Sequence, residues 1–457
     1  MKSKFIRSVI TTFAVVLFFG CTSAPKDNII RFEVPPRAEG QKDVLQLTAD
    51  KIDTVHVGFI GIGNRGWGSV WRAAHIKGVK IMAICDIRQE RLDYVRGLFK
   101  TYKVDVPYKF DDYCGGEDEW KKLCERDDID LIYITTDWAH HTEMAVYAME
   151  HGKHAVMEVP AATSLKECWQ LVNTAERTRK HCMMMENCCY DLFELNTLNM
   201  IQHGMLGEIV HGEGAYIHEL KGMIKGDGWR KGWNMKYNGN LYPTHGLGPI
   251  CQAMDIHRGD RMDYLVSVSS NQFGMSELAK EYFGANSPEA KTTYARGDMN
   301  TSIIRTVKGK TIKVQHDVTS PRPYSRIHAV SGTKGYIQKY PNEGIALVPT
   351  QHQYMTPSQR DSILTLYKHP IITQIGPIAE DVAGHGGMDF IMDWRLYYCL
   401  NNGLPLDMDV YDAAEWSSLF ELTQISVAAN GAPVEVPDFT RGAWDKVKGF
   451  HHAYAKN

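Results

Sequence analysis

Three glycines near the start of the chain have the spacing that suits the binding of a phosphate group. Gly61, Gly63 and Gly66 form a G-x-G-x-x-G pattern directly after a short apolar segment. The first glycine allows a tight turn, the second lets the backbone approach a pyrophosphate, and the third lets the next helix pack on the sheet. The N-terminus of that helix attracts the phosphate charge. The pattern predicts a dinucleotide site whose loop contains Asn64 and Arg65.

One acidic residue narrows the choice of dinucleotide. Asp86 ends the second apolar segment, twenty residues after Gly66. A carboxylate at this position accepts hydrogen bonds from both ribose hydroxyls of NAD and repels the 2′-phosphate of NADP. The sequence therefore predicts NAD as the cofactor.

Two later segments carry aromatic and polar side chains toward the same crevice. Residues 136–141 read Thr-Asp-Trp-Ala-His-His, and residues 152–160 read Gly-Lys-His-Ala-Val-Met-Glu-Val-Pro. Each follows or contains a predicted strand, and ligands of open α/β sheets bind beyond the carboxyl ends of the strands. We expect both segments to line the dinucleotide site.

Alternating strands and helices must position these side chains. Strands are predicted at 54–60, 79–85, 131–135 and 154–157, and helices at 89–102, 142–151 and 165–179. Apolar segments that alternate with helices at this spacing are typical of βαβ units. We predict an α/β fold that begins with a Rossmann domain, a doubly wound parallel sheet over residues 51–180.

The pattern changes beyond about residue 210. Longer strands are predicted at 264–273, 301–307, 311–318 and 327–330, with turns at 308–309 and 332–335. Helices return at 388–401 and 413–429. These features predict a second, α+β domain over residues 181–457, built on a mostly antiparallel open sheet.

Composition excludes several classes of protein. The chain has 44% apolar and 23% charged residues, which is typical of globular domains, and its net charge of −3 includes no basic block. Nucleic acid is therefore not an expected partner. Cys182, Cys188 and Cys189 lie close together, but their spacing fits no common zinc template. We expect buried structural thiols and no metal site.

The N-terminus has the features of a secretion signal. Lys2, Lys4 and Arg7 precede an apolar segment at 9–19 that is too short to span a bilayer, and Gly20-Cys21 follows. The end of this segment resembles a bacterial lipobox. We predict a lipoprotein signal peptide at 1–21, a lipid bilayer anchor through acylated Cys21, and a tether at 22–50. The expected location is the bacterial cell envelope, facing the periplasm or the exterior; the alternative is an ordinary signal peptide with a chance cysteine.

Residues 152–160 resemble the G-K-H-V-x-x-E-K-P segment of the Gfo/Idh/MocA sugar oxidoreductases. In those dehydrogenases the lysine after the glutamate acts in proton transfer at the oxidised carbon. Here Val159 follows Glu158. This substitution argues against a plain sugar dehydrogenase.

Further segments make a more particular match, namely 185–190, 214–218, 242–246, 320–324 and 436–439. With Glu158-Val159-Pro160 they resemble glycoside hydrolase family 109, the NAD-dependent α-N-acetylgalactosaminidase group of the Gfo/Idh/MocA superfamily. The resemblance covers nearly the whole chain after residue 51. It implies a glycan or small glycoside as the substrate.

The resemblance also implies the site residues. NAD contacts are implied for Asn64, Arg65, Asp86, Trp138, His141, Glu158, Val159 and Asn187. Sugar contacts are implied for Tyr190, Tyr216, Arg230, Tyr242, Pro243, Thr244, His245 and Tyr324. Other interpretations stay open, since Tyr216 could be a core ring of the sheet and Arg230 a solvated loop charge.

The same resemblance implies a redox route for glycoside cleavage, an exception to the usual pair of carboxylates. C3 of the sugar is oxidised, the C2 proton becomes acidic, the glycosidic oxygen leaves C1, water adds, and C3 is reduced again. His245 would take the C3 hydroxyl proton, because histidine titrates near neutrality. Tyr190 or Tyr242 would handle the C2 proton or the leaving group.

Two other functions remain open at this stage. One is an NAD-dependent sugar dehydrogenase of the same fold, and the other is a sugar-binding lipoprotein without activity. The oligomeric state is also open, with a homodimer through the second-domain sheet as the candidate.

Overall fold

A computed structural model describes residues 28–101, 110–116, 118–226, 228–349, 352–382 and 384–453. The strands are β1 (Val55–Ile60), β2 (Val79–Asp86), β3 (Asp111–Cys114), β4 (Leu131–Ile134), β5 (His154–Met157), β6 (Cys182–Met184), β7 (Ile209–Ile217), β8 (Met262–Ser269), β9 (Met299–Thr306), β10 (Thr311–Asp317), β11 (Ala329–Gly332), β12 (Gly335–Gln338), β13 (Gly344–Leu347) and β14 (Val434–Glu435). The helices are α1 (Gly66–Ala73), α2 (Gln89–Thr101), α3 (Glu119–Cys124), α4 (His141–Glu150), α5 (Leu165–Thr178), α6 (Leu192–Gln202), α7 (Trp229–Lys236), α8 (Thr244–Ala253), α9 (Gly274–Phe283), α10 (Pro288–Lys291), α11 (Pro357–Leu366), α12 (Pro370–Val382), α13 (Met388–Asn402) and α14 (Val410–Ala428). Short 3-10 helices span Asn187–Tyr190, Lys221–Lys225 and His385–Gly387.

The first sheet is the predicted Rossmann sheet. Its six strands are parallel and follow the order β3-β2-β1-β4-β5-β6. The order reverses between β1 and β4, which opens a crevice at the carboxyl ends of these strands. Strand β6 begins at Cys182, so the parallel sheet extends beyond the predicted domain boundary at residue 180.

The second sheet has eight strands in the order β13-β12-β11-β7-β10-β9-β8-β14 and is mostly antiparallel, as predicted. Strands β7 and β10 pair in parallel. The strand predicted at 264–273 was too long, because β8 ends at Ser269 and α9 begins at Gly274. Strand β11 begins at Ala329, two residues later than the strand predicted at 327–330, because Ile327 and His328 have φ angles of 60° and 46°. Left-handed backbone of this kind cannot continue a strand.

The C-terminal helices fasten the two sheets to each other. Helix α13 packs on α1 and β1, and helix α14 packs on α5, β6 and β8. A buried polar contact also ties α13 to α1 and β4, because Asp393 of α13 accepts hydrogen bonds from Arg72 (2.6 Å) and Tyr133 (2.9 Å). Residues of both sheets belong to one apolar core. The predicted division at residue 180 is therefore not a division of the packing.

The described part of the predicted tether lies against the protein. The Arg37 guanidinium donates two hydrogen bonds of 3.0 Å to the buried carboxylate of Glu176, and the Val44 amide donates to Tyr411 (3.0 Å). Ile30 is bonded through its amide to the Pro433 carbonyl (2.9 Å). From residue 28 onward this segment is thus docked rather than free. The predicted signal peptide and Cys21 lie outside the described residues, and within those residues no helix has the length and apolarity to span a bilayer.

Candidate active site

The glycine turn after β1 has the geometry that its pattern predicts. Gly61 has a φ of 81°, and a Cβ there would lie 2.8 Å from the Thr136 amide nitrogen. A Cβ on Gly66 would overlap the Gly61 carbonyl, so the start of α1 packs closely on the turn. A Cβ on Gly63 meets nothing closer than Arg88, at 3.4 Å. The loop is therefore closed toward the sheet and open where a pyrophosphate would lie.

Asp86 is held at the end of β2 by the same turn. One carboxylate oxygen accepts a hydrogen bond from the Ile62 amide (2.9 Å), and the other accepts one from the Arg88 amide (3.0 Å). The side chain is buried. These bonds fix the acid beside the glycine loop, which is the position that suits a ribose of NAD.

Charged side chains from both domains meet beside this loop. Arg65 donates to Glu158 (2.7 Å) and makes a two-pronged contact with Asp389 at the start of α13 (2.6 and 3.1 Å). Asn187 also donates to Asp389 (2.6 Å). The structure thus brings together three of the predicted cofactor residues, around an aspartate that the sequence analysis missed.

The charges set the ionisation of Asp389. Burial acts to raise its pKa, but the Arg65 guanidinium, a bond from His385 and the nearby Arg72 outweigh burial and hold the pKa well below its usual value. His385 belongs to a glycine-rich segment, Gly384–Gly387, whose glycines have φ angles of 110°, 70° and 94°. A cluster of glycines directly before a helix is a loop signal that could have pointed to this region.

His141 is less accessible than its predicted cofactor contact requires. Its ring is buried between two backbone carbonyls, with Nδ1 2.8 Å from Pro160 and Nε2 3.1 Å from Thr136. Burial outweighs the two carbonyl contacts and lowers the pKa of His141. It braces the loops after β4 and β5. Val159 is likewise buried in the second of these loops.

A row of aromatic rings leads away from the cofactor loop. Trp138 lies 5.8 Å from Tyr242, Tyr242 lies 4.6 Å from Tyr216, and Tyr216 lies 6.4 Å from Tyr324, measured between ring centroids. His245 stands beside the row, 4.8 Å from Tyr242 and 5.4 Å from Tyr216. The sequence prediction that these residues form one site is consistent with this arrangement, which pairs flat amphipathic surfaces with a titratable side chain.

Two glycines explain why these side chains meet. Gly214 of β7 and Gly246 of α8 touch backbone to backbone, and a Cβ on either would overlap the other segment. Tyr216 lies two residues after Gly214, and His245 directly precedes Gly246. The close approach of strand and helix therefore places the tyrosine and the histidine in the same cleft.

Arg230 also joins the row. Its guanidinium carbon lies 5.5 Å from the Trp138 ring, 5.3 Å from the Tyr242 ring and 5.1 Å from the Trp229 ring. A guanidinium over aromatic faces is an attractive contact, and it argues against the solvated loop charge that the sequence left open. The preceding Trp229 was not predicted; its ring is 40% exposed and lies 4.8 Å from Trp138.

His245 is paired with an acid. Its Nδ1 atom lies 2.7 Å from Glu186, whose side chain is fully buried. Burial acts to raise the pKa of Glu186, but His245 outweighs it and the pKa is lowered. At this distance the Glu186 carboxylate orients the imidazole, as in other acid–histidine pairs. Pro243 and Thr244, which begin α8, position this histidine, and Thr244 is itself buried.

The same corner contains the metal-type cluster Glu186, Cys188 and His245, whose ligand atoms lie within 4.8 Å of one another. The short bond between Glu186 and His245 accounts for two of the three groups. Burial raises the pKa of the Cys188 thiol well above its usual value, which keeps it protonated. Cys182, Cys188 and Cys189 are buried free thiols, as the sequence predicts.

Tyr190 is placed differently from the prediction. Its hydroxyl donates to Asp407 (3.1 Å), the same carboxylate that pairs with buried Arg395, and its ring lies 6.1 Å from that of His452. The side chain is fully buried in this polar pocket. The structure does not bring the Tyr190 hydroxyl into the row of rings, although the residue directly follows Asn187–Cys189 in the chain.

Comparison with known proteins identifies the family. The model of the glycosyl hydrolase 109 C-terminal domain matches residues 190–446, more than half of the chain. The chain belongs to glycoside hydrolase family 109. The model of the oxidoreductase family with an NAD-binding Rossmann fold matches residues 55–186. In this family 109 enzyme the first domain is thus an NAD-binding domain, as predicted from Gly61 to Asp86.

Curated relatives extend over almost the whole chain. An α-N-acetylgalactosaminidase of Bacteroides fragilis is 53% identical over 418 residues, which cover 90% of this chain and 97% of the relative. Glycosyl hydrolase family 109 protein 1 of Phocaeicola vulgatus is 49% identical over 460 residues, covering 96% of each chain.

Solved structures share the fold of this family 109 chain. A levoglucosan dehydrogenase in complex with NADH and L-sorbose covers 85% of this chain and 100% of its own, with a TM-score of 0.64 and 17% identity. An NAD-binding oxidoreductase from Klebsiella pneumoniae covers 84% and 99%, with a TM-score of 0.64 and 16% identity. At this level of identity the likeness shows the fold.

Proposed function

We propose that this chain hydrolyses terminal α-N-acetylgalactosamine residues by the redox route, with NAD retained and recycled. The observation that carries the proposal is the row of rings from Trp138 to Tyr324, which begins in the loop after β4, next to the glycine turn, and has His245 beside it. The name and activity of the B. fragilis relative supply the sugar class. Bound NAD supplies reversible hydride transfer at C3 of the sugar.

The residues of the cleft account for the proton transfers. His245, oriented by Glu186, takes the proton of the C3 hydroxyl as C3 is oxidised. The tyrosines handle the C2 proton and the departing oxygen. Tyr242 is buried, and burial raises its pKa well above the usual value, with Arg230 opposing. The positive charge of Arg230 acts to lower the pKa of Tyr242, which is the direction that a base requires.

The carboxylates near the cleft favour this route over direct hydrolysis. Glu158, Glu186 and Asp389 are each bonded to a basic side chain, at 2.7, 2.7 and 2.6 Å. Ordinary glycosidases instead hold two carboxyl groups across the scissile bond, one as acid and one as base or nucleophile. The paired acids here organise the cofactor loop and His245.

The direct test is hydrolysis of 4-nitrophenyl α-N-acetylgalactosaminide by the purified protein without added NAD. We expect release of nitrophenol and, in D2O, deuterium at C2 of the product. Release of sugar without deuterium at C2 would contradict the redox route. Accumulation of NADH with an oxidised sugar would instead support a dehydrogenase, which the buried Val159 disfavours because it replaces the proton-transferring lysine.

We also propose that the enzyme is a lipoprotein of the bacterial cell envelope, anchored through acylated Cys21. The lipobox-like end of the apolar segment supports this proposal. Replacement of Cys21 by Ser should move the protein from the membrane fraction to the soluble fraction. An unchanged membrane fraction would contradict lipid anchoring.

A homodimer through the second sheet is a further proposal. Val268 of β8 and Ile303 of β9 are 63% and 40% exposed on adjacent strands of the second sheet. Exposed apolar surface of this kind is typical of association sites. Light scattering should give about twice the monomer mass, and a Val268→Lys variant should be monomeric; a monomeric native protein would contradict the proposal.

A further inference from the structure

A histidine that the sequence analysis did not assign contacts one of the cleft tyrosines. His218 follows the end of β7, two residues after Tyr216, so both side chains emerge on the same side of the strand. The Tyr216 hydroxyl oxygen lies 2.8 Å from His218 Nδ1. Tyr216 is buried, whereas His218 is half-buried. The pair therefore reaches from the interior of the cleft toward solvent.

The order of the rings shows which end of the cleft this pair occupies. Trp138 and Tyr242 are buried, and Trp138 lies in the loop after β4, whose Thr136 packs against Gly61 of the cofactor loop. Tyr216 comes next in the row. Tyr324, at the other end, is 40% exposed, and the His218 ring lies 5.3 Å from it. A sugar oxidised by NAD must lie at the Trp138 end. The group attached through its glycosidic oxygen then extends toward the open end, past Tyr216 and His218.

We propose that Tyr216 protonates the departing glycosidic oxygen and that His218 is the residue that positions the Tyr216 hydroxyl. The proposal rests on the elimination route described above. Tyr190 was one of the candidates from the sequence for protonating the leaving group, but its hydroxyl is bonded to Asp407. Tyr242, nearer the cofactor loop, is left to take the C2 proton.

The proton transfers balance over one turnover. Tyr242 enters this step as the phenolate beside Arg230 and removes the C2 proton; the C2–H electrons form the C1–C2 double bond, and the C1–O bond breaks. The electron pair of that bond stays on the departing oxygen, which takes the Tyr216 proton. Water then adds to C1 and returns a proton to Tyr216, while Tyr242 returns its proton to C2.

The position of His218 suits this task. An Nδ1–H that donates to the phenolic oxygen of Tyr216 leaves the hydroxyl hydrogen free to point into the cleft, and it stabilises the phenolate that forms. Burial raises the pKa of Tyr216 despite the nearby Arg230, so Tyr216 is a protonated donor. Burial and Arg230 lower the pKa of His218, so the imidazole is neutral and has one N–H to donate.

The test uses two substrates that differ in their need for an acid. Nitrophenolate leaves without protonation, whereas methoxide does not, so 4-nitrophenyl and methyl α-N-acetylgalactosaminide are compared. We expect Tyr216→Phe to lower kcat on the methyl glycoside about 100-fold or more, the usual contribution of general acid catalysis, and kcat on the nitrophenyl glycoside only a few-fold. Exchange of the C2 proton in D2O should continue in the variant.

The role of His218 is tested by two variants and a control. His218→Ala should show the same preference for the nitrophenyl substrate, with a smaller loss on the methyl glycoside than Tyr216→Phe. His218→Asn should recover most of that loss, because its amide N–H can donate from nearly the position of Nδ1. His211→Ala is the matched control: His211 lies on the same strand, bonded to Thr311 (2.8 Å).

The outcomes separate this proposal from the proposed function. Equal losses on both substrates in Tyr216→Phe, or loss of C2 exchange, would overturn the assignment of Tyr216 as the acid. Equal activity of His218→Ala and His218→Asn would overturn the positioning role of His218. If the native enzyme cleaves neither substrate, the proposed function itself has failed. Circular dichroism and NAD retention are measured for each variant to establish that it is folded.

Discussion

The two sides of the cleft are built from different kinds of interaction. On the cofactor side, Arg65, Glu158 and Asp389 form short, mostly buried ion pairs that join the glycine loop to α13. On the sugar side, Trp138, Tyr242 and Tyr216 meet through ring contacts, and His245 is hydrogen-bonded to Glu186. Buried ions hold one geometry because a displaced partner leaves a charge unpaired. Rings can shift at lower cost, which suits a site that must admit and release a sugar.

This comparison predicts that the largest loss of activity comes from the sugar side. His245→Ala removes the base for the C3 hydroxyl and leaves Glu186 buried without its partner. We expect kcat to fall at least about 10³-fold, within the range for general base catalysis, while the cofactor stays bound. Turnover and NAD content of the purified variant are the measurements. Residual activity near the native level would remove His245 from this role.

The largest loss of stability should come from the cofactor side. Asp389→Ala removes the two-pronged partner of Arg65, which keeps only its bond to Glu158, and it removes a second, longer ion pair of Arg72. Loss of one partner of a buried ion pair costs about 3–5 kcal/mol in the free energy of unfolding. Denaturant unfolding measures this change. Asp381→Ala, an exposed aspartate of α12, is the control; equal effects of the two variants would show that the ion pairs do not hold the loop.

The charged side should also respond to acid. Because the folded-state pKa of Asp389 lies well below its usual value, its ion pairs contribute full stability above about pH 4, the unfolded value. That contribution is lost as the pH falls from about 4 through the folded pKa. The free energy of unfolding should therefore decrease over this range in the native protein and decrease less in Asp389→Ala. Parallel pH curves for the two proteins would contradict the assignment.

The smallest effect should come from the edge of the sugar side. Trp229 is partly exposed and rests against Trp138. Trp229→Ala should raise KM several-fold, equivalent to about 1 kcal/mol of lost contact, and leave kcat nearly unchanged. Phe273→Ala, a 60% exposed ring, is the control, for which no change is expected. A fall in kcat with unchanged KM would place Trp229 among the groups that act on the reacting atoms.

The parts that the sequence predicted best are those with local causes. The glycines at 61, 63 and 66 shape the turn in which they lie, and the acid at 86 is bonded to that turn. Their geometry agrees with the geometry that their spacing predicts. The end of β8 and the start of β11 were less predictable, because an isolated apolar residue, Phe273 or Ile327, was counted with the strand next to it. The docking of residues 28–50 was also missed, since its partners Glu176 and Tyr411 lie far along the chain.

The candidate site shows the same distinction. Tyr216, Tyr242 and His245 could be named from their segments, but Tyr190 stands in an equally suggestive segment and faces Asp407. Asp389 and His218 were assigned no role from the sequence, although His218 ends the segment 214–218 and a glycine cluster precedes Asp389. Their importance follows from contacts with Arg65 and Tyr216.

The sequence by itself determined the parallel Rossmann sheet, the NAD-type loop and the family, because glycine spacing, strand periodicity and ordered segments are local properties of the chain. Only the tertiary structure decided which tyrosines share a cleft with His245 and which acids are paired with arginine. The physical reason is that these contacts join residues up to 324 positions apart. They depend on close approaches such as that of Gly214 and Gly246, which no neighbouring residue specifies.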